Sequence, residues 1–150
     1  MNIEPKVSIE SIVQWAEDQG VDCIDDTRSI PEIACELCKM LDAKLSLEQR
    51  KALDAARHYL LYGDVNEADA WTSELAQRVG RPNPVDMPED IIAIERLLWA
   101  ALNRVTSLSA FALEFILCVA ETAGLSVDEM APVVLRILSS TRGRDSSGVS

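Results

Sequence analysis

Signals for the start and end of helices recur along this chain, and no stretch alternates apolar and polar residues as a half-buried strand does. Ser46 with Gln49, and Ser126 with Glu129, have the spacing of capping boxes, in which each residue's side chain bonds the other's backbone N–H. Gly63 follows an apolar-periodic segment, where glycine commonly ends a helix. Together these signals predict an all-α protein, a single compact bundle of six to seven helices.

Two further signals predict where individual helices begin. Ser29 and Glu32 have the capping-box spacing, which predicts Ser29 as the N-cap of the second helix. Pro132 lies inside the last helical segment, so we expect either a kink at Pro132 or a start delayed to about Ala131.

Proline and tail composition predict the domain organisation. Three prolines fall within residues 80–88, and because proline interrupts helices, this segment is expected to connect an N-terminal half to a C-terminal half. Beyond Ser139 the chain is mostly Ser, Gly, Arg and Asp, with almost no apolar anchor. We therefore expect one helical domain over residues 1–139 and a flexible tail over residues 140–150.

The most apolar segment is the candidate for a central helix. Residues 110–120 are apolar at every position but Glu114, which is typical of a helix surrounded on most sides. A glutamate in such a run usually pairs with an arginine, and Arg96 or Arg104 on the preceding helix is the expected partner. Glu114 and Glu121 share a face, but a di-iron bundle also needs two histidines and the chain has one.

Charge predicts the class of partner. The chain has 25 acidic and 14 basic residues, a formal net charge of −11 and a pI near 4.4. Phosphate binding depends on Lys and Arg, so nucleic acids and anionic membranes are disfavoured, whereas an acidic surface attracts basic proteins. No segment reaches about 18 consecutive apolar residues and the N-terminus lacks a secretory pattern. The expected location is the cytoplasm.

Acidic and aromatic residues of the first half are the candidates for contacting a partner. Five acids without a base among them lie within residues 17–26, but they lack the spacing of a calcium loop. The default interpretation is a solvated loop, and the functional one is a binding site for Lys or Arg of a protein partner. The candidate residues are Glu17, Asp18, Asp22, Asp25, Asp26, Tyr62, Asp64, Glu67 and Trp71.

Catalytic and metal signals are weak. His58 is the single histidine and no nucleophile elbow accompanies it. Cys35 and Cys38 have the spacing of a zinc or redox pair, yet no second pair of ligands exists and the motif lies inside a helix. These cysteines and Cys118 are therefore expected to be reduced thiols packed in the core. We predict no catalytic residue, metal or cofactor.

One stretch of the chain has a familiar pattern of helices and small residues. The features that carry it are Ala55-Ala56-Arg57-His58-Tyr59 followed by Gly63-Asp64, then Asn66-Glu67-Ala68, and later Ala93-Ile94 with Trp99-Ala100-Ala101. With these features, residues 47–138 resemble the all-helical immunity proteins of bacterial polymorphic toxin systems. The resemblance implies a cytoplasmic bacterial protein that binds and neutralises a cognate toxin, and it transfers no site residue.

Two other functions remain open from the sequence. One is a small helical enzyme or ligand-binding domain with a pocket between the two halves, to which Glu114, Arg96, Arg104 and His58 could contribute. The other is an adaptor or dimerising subunit that uses an apolar helix face, including a homodimer. Patterning alone does not separate such a face from core.

Overall fold

A computed structural model describes residues 7–21, 26–79, 88–103 and 107–148, with side chains as far as Ser140 except at 76, 78 and 79. Over these residues the chain contains seven α-helices, a 3-10 helix at Asp42–Lys44 and no strand, which confirms the all-α prediction. Their bounds are α1 Ile9–Asp18, α2 Ser29–Met40, α3 Leu47–Tyr62, α4 Asn66–Val79, α5 Glu89–Leu102, α6 Ala110–Ala123 and α7 Val127–Gly148. None of the described helices combines the length and apolar content needed to cross a bilayer.

Two predicted capping boxes are confirmed. The Gln49 N–H donates to Ser46 Oγ at 3.1 Å and the Ser46 N–H donates to Gln49 Oε1 at 2.9 Å, so α3 begins at the residue after Ser46. At α7 the Glu129 N–H donates to Ser126 Oγ at 3.2 Å and the Ser126 N–H donates to Glu129 Oε2 at 2.9 Å. Gly63 ends α3 with φ +75°, a left-handed conformation that glycine adopts without strain.

The prediction that Ser29 is the N-cap of α2 is wrong. Asp26 Oδ1 accepts the N–H groups of Arg28 at 2.8 Å and Ser29 at 3.0 Å, while Oδ2 accepts the Ser29 hydroxyl at 2.5 Å. Ser29 is itself the buried first residue of the helix. A carboxylate two to three residues upstream reaches these N–H groups directly, so Asp26 takes the capping role that the Ser29 and Glu32 spacing suggested for Ser29.

One of the two alternatives predicted for the last helix is excluded. α7 starts at Val127 and includes Pro132, so its start is not delayed to Ala131, and a kink at Pro132 stays a prediction. The capping box at Ser126 stabilises the first turn, and proline there removes only one backbone hydrogen bond. The backbone is helical to Gly148, and the flexibility of the tail over residues 140–150 stays a prediction.

The centre of the bundle is α5 rather than α6. α5 packs against α2, α3, α4 and α6, and the side chains of Leu97, Leu98 and Ala101 have no exposed surface. α6 instead leaves one face in solvent, with Phe111, Phe115 and other residues exposed. The prediction of α6 as the central helix is wrong because an apolar composition does not reveal which faces neighbouring helices cover.

Three contacts orient the helices. Arg28 Nη2 donates to the Leu60 carbonyl at 2.8 Å and the Leu108 N–H donates to the Asp26 carbonyl at 2.6 Å. The start of α2, the end of α3 and the start of α6 therefore share one end of the bundle. At the opposite end, Lys44 Nζ donates to the Ala123 carbonyl at 3.0 Å, where α6 ends.

The first helix, α1, lies against α6, and the C-terminus of α1 is at the end of the bundle where α6 begins. α1 packs along α6, and the charge of Glu10 reaches the Cys118 thiol in the second half of α6. We infer that the two helices are antiparallel, with the end of α1 near the start of α6, because seven residues separate Asp18 from Asp26, whose carbonyl accepts the Leu108 N–H just before α6.

Candidate functional site

Most of the predicted partner-binding residues meet at one end of the bundle. Glu17 and Asp18 end α1, Asp26 precedes α2, Tyr62 ends α3, and the two acids that follow it lie at the start of α4. Trp71 lies farther along α4, and Asp22 and Asp25 are outside the described residues. We call the gathered set the acidic end: Glu17, Asp18, Asp26, Tyr62, Asp64 and Glu67.

Tyr62 is the most prominent side chain of the acidic end. Its side chain is 74% exposed, and the His58 ring lies against it with centroids 4.8 Å apart and planes tilted by 50°. His58 Nε2 is also 3.5 Å from Asp64 Oδ2. Gly63 turns the chain between the two, so Tyr62 and Asp64 both lie close to the same imidazole.

Asp64 has a local structural role as well. Its Oδ1 accepts the Asn66 N–H at 3.1 Å, just where α4 begins. Short acidic side chains commonly bond the backbone two residues later, which fixes the turn into the helix. The second oxygen remains directed to His58, and the side chain is 44% exposed.

Asp26 differs from the other acids of this end. It is half-buried, and both of its carboxylate oxygens accept hydrogen bonds from the start of α2. The charge of Asp26 is therefore engaged in the fold. The exposed carboxylates of the acidic end are those of Glu17, Asp18, Asp64 and Glu67.

Leu61 was missed by the sequence analysis. Its side chain is 70% exposed beside Tyr62, so the two residues form exposed apolar surface at the end of α3. The apolar face of α3 follows Ala52, Ala55 and Ala56, all buried, and helical spacing from them places Leu61 off that face. That spacing is the signal that could have identified it.

Trp71 belongs to the flank of the bundle. It is half-buried and lines an open groove of about 380 Å³ between α3 and α4, together with Lys51, Asp54, Glu67 and Ala70. Glu67 borders both the groove and the acidic end. Trp71 is thus near the acidic end through Glu67, but its ring faces a different surface.

A second hollow, of about 170 Å³, lies between α2 and α3. Its lining includes Arg28, Arg57 and Glu36 beside Cys35. Burial, and then the charge of Glu36, raises the pKa of the Cys35 thiol to about 12, and burial raises the pKa of Cys38 well above its usual value. Both thiols stay protonated at neutral pH, and the prediction that this pair packs in the core is confirmed.

The described members of the alternative pocket are exposed and lie on three different helices. Glu114 is exposed on α6, Arg96 is exposed on α5 and His58 is exposed on α3, while Arg104 lies outside the described residues. The expected apolar environment of Glu114 is wrong, because its side chain faces solvent, and the expected pairing with Arg104 lies outside the described residues. Among the described side chains, no group of three or more His, Cys, Asp or Glu is placed to hold a metal ion.

The exposed face of α6 is a second surface feature that the sequence analysis did not identify. Phe111 is 83% exposed and Phe115 is 44% exposed, and Cys118, predicted to be buried, is exposed beside them. Partial desolvation, followed by the charges of Glu114, Glu121 and Glu10, raises the pKa of the Cys118 thiol. Within an unbroken apolar run, residue spacing gives no signal for which phenylalanines face solvent.

Comparisons with protein-family models, with curated proteins and with solved structures gave no match. The resemblance of residues 47–138 to immunity proteins therefore stays a prediction.

Proposed function

We propose that this chain is a non-catalytic, cytoplasmic protein that binds and neutralises a basic protein, in the manner of an immunity protein acting on a toxin. The acidic end is the binding surface. Its exposed carboxylates attract the partner, and Tyr62 provides apolar area for the contact.

The observation that carries the proposal is the exposure of Tyr62 among carboxylates. A tyrosine has a large ring and few rotatable bonds, so it gains contact area on binding with little loss of conformational freedom. His58 already restrains the Tyr62 ring from one helical turn earlier. An exposed aromatic side chain that is held in place is the usual form of an energetically dominant interface residue.

The charges around Tyr62 favour a basic partner. Asp64 follows it by two residues, and Glu17, Asp18 and Glu67 are exposed at the same end. Arg28, the base nearest the start of α2, already donates to the Leu60 carbonyl. Complementary charge of this kind mainly raises the association rate, because it guides the partner before contact.

The test compares two variants that remove equal charge from opposite ends of the bundle. The acidic-end variant carries Glu17→Gln, Asp18→Asn, Asp64→Asn and Glu67→Gln. The matched opposite-end variant carries Asp42→Asn, Glu48→Gln, Glu89→Gln and Asp128→Asn. Asp64→Asn keeps an oxygen that can accept the Asn66 N–H, so the turn into α4 is preserved.

Each protein is expressed with an affinity tag in its source cells, and the proteins retained with it are quantified at low and moderate salt. We expect the wild type and the opposite-end variant to retain the same basic protein in near-equal amount, and salt to release it. The acidic-end variant should lose it. Equal retention by the two variants, or retention that does not respond to salt, would contradict the proposal.

A further inference from the structure

The outer face of α6 carries an apolar stripe that the bundle does not cover. Phe111 and Phe115 are one helical turn apart, and Cys118 continues the stripe at helical spacing. All three are exposed, and Phe111 at 83% is the most exposed large hydrophobic residue among those described. Exposed phenylalanines grouped on one face are typical of a contact surface with another molecule.

Negative charge borders this stripe along α1 and α6. α1 and α6 pack side by side and contain no Lys or Arg. Their acidic side chains are all exposed: Glu10, Glu17, Asp18, Glu114 and Glu121. We call this surface, the stripe with its five carboxylates, the α1/α6 face.

The charges act on the stripe itself, not only around it. The carboxylates of Glu114, Glu121 and Glu10 all raise the pKa of Cys118, in addition to its partial desolvation. The Cys118 end of the stripe therefore lies in a negative potential. A group that packs on Phe115 is favoured if it carries positive charge at its edges.

The α1/α6 face is continuous with the acidic end. Glu17 and Asp18 belong to both, since they lie in the last turn of α1 and α1 packs on α6. Phe111 follows Leu108 by three residues, and the Leu108 N–H donates to the Asp26 carbonyl. A partner seated on the acidic end can therefore extend along α6 without leaving acidic surface.

We propose that the α1/α6 face docks a basic amphipathic helix of the partner protein. Apolar side chains of that helix pack on Phe111 and Phe115, and its lysines or arginines face the five carboxylates. The inference shares with the proposed function the basic nature of the partner, but it concerns different anchor residues.

Charge selects this occupant over a second copy of the chain. Two copies packed through this face would bring five carboxylates of one chain against five of the other, and like charges across an interface disfavour it. An anionic lipid surface is repelled in the same way. A basic protein helix satisfies both the apolar stripe and its acidic border.

The test uses a synthetic peptide of about 18 residues, with leucines on one helical face and lysines on the others, and a matched peptide with glutamate in place of lysine. Binding to ¹⁵N-labelled wild-type protein is followed by fluorescence anisotropy and by amide chemical shifts at about physiological salt. We expect the lysine peptide to bind and to shift amides of α1 and residues 110–118. The glutamate peptide should not bind.

Variants then assign the anchor residues. Phe111→Ser with Phe115→Ser is expected to weaken peptide binding by about tenfold or more, because truncating buried interface aromatics has effects of this size. Leu47→Ser is the matched control, since Leu47 is 72% exposed at the opposite end of the bundle. It should leave affinity unchanged, and circular dichroism should show that both variants are folded.

The remaining outcomes overturn the inference. Equal affinity of the double phenylalanine variant, or shifts confined to other helices, would place binding elsewhere. A wild-type dimer in sedimentation that the double variant abolishes would make the face a self-interface. Either result leaves the proposed function standing if the acidic-end variant still loses its basic partner, so the two failures are distinguishable.

Discussion

At the scale of single residues, the role of a carboxylate depends on which hydrogen-bond donors lie close to it. Asp26 reaches two backbone N–H groups and the Ser29 hydroxyl, so its charge serves the start of α2. Glu17 and Asp18 extend from the last turn of α1, are exposed, and remain available to a partner. All three belong to the same acidic stretch in the sequence, and composition alone did not separate these roles.

The reactivity of Cys118 is predicted at this scale. Because its pKa is raised, less thiolate is present at a given pH, and alkylation by iodoacetamide should accelerate as pH rises through that pKa. Glu114→Gln with Glu121→Gln removes two of the charges that raise it, so the alkylation rate at pH near 8 should increase severalfold. Mass spectrometry of the peptide containing Cys118 measures the rate.

Glu67→Gln is the control for Cys118, because Glu67 lies on α4 at a different face of the bundle. It should leave the alkylation rate unchanged. A rate that is the same in the double variant and the wild type would contradict the negative potential that we assign to the α1/α6 face.

At the scale of elements, local signals predicted where helices begin and end better than they predicted which helix lies at the centre of the bundle. The capping boxes at Ser46 and Ser126 and the glycine at Gly63 involve only neighbouring residues, so the sequence contains all of the information. Which helix is central depends on tertiary packing. Residues 110–120 are more apolar than α5, yet α6 leaves one face in solvent, whereas α5 packs against α2, α3, α4 and α6.

Truncation of one side chain on each helix tests this assignment. Leu98→Ala in α5 removes a side chain with no exposed surface, and we expect the free energy of unfolding to fall by about 2–5 kcal/mol. Phe111→Ala in α6 removes a mostly exposed ring, so the change should stay within about 0.5 kcal/mol. Urea denaturation followed by circular dichroism measures both, and comparable losses would contradict a central α5.

The candidate site could be predicted only in part, because it also depends on tertiary packing. Acidity and exposed aromatic character pointed to Glu17, Asp18, Tyr62 and Asp64, and the fold places them at one end. Their proximity depends on contacts between distant segments, such as Arg28 with Leu60 and Asp26 with Leu108. The stripe on α6 was not predicted, since its phenylalanines resemble core residues in sequence.

At the scale of the whole molecule, the net charge of −11 and its arrangement have separate consequences. Net charge attracts any basic protein weakly and at long range. A cluster of carboxylates beside exposed aromatic residues instead attracts one at a defined surface, where apolar contacts then slow dissociation. The account therefore requires that the position of the charges matters, in addition to their number.

The most direct test measures the association rate constant between the purified basic partner and this protein by stopped flow, across a range of ionic strength. For the wild type and the opposite-end variant, we predict rates that fall by about tenfold between about 50 and 500 mM salt. The acidic-end variant should associate more slowly at low salt and respond less to added salt. The same rates and salt dependence in both variants would contradict the account.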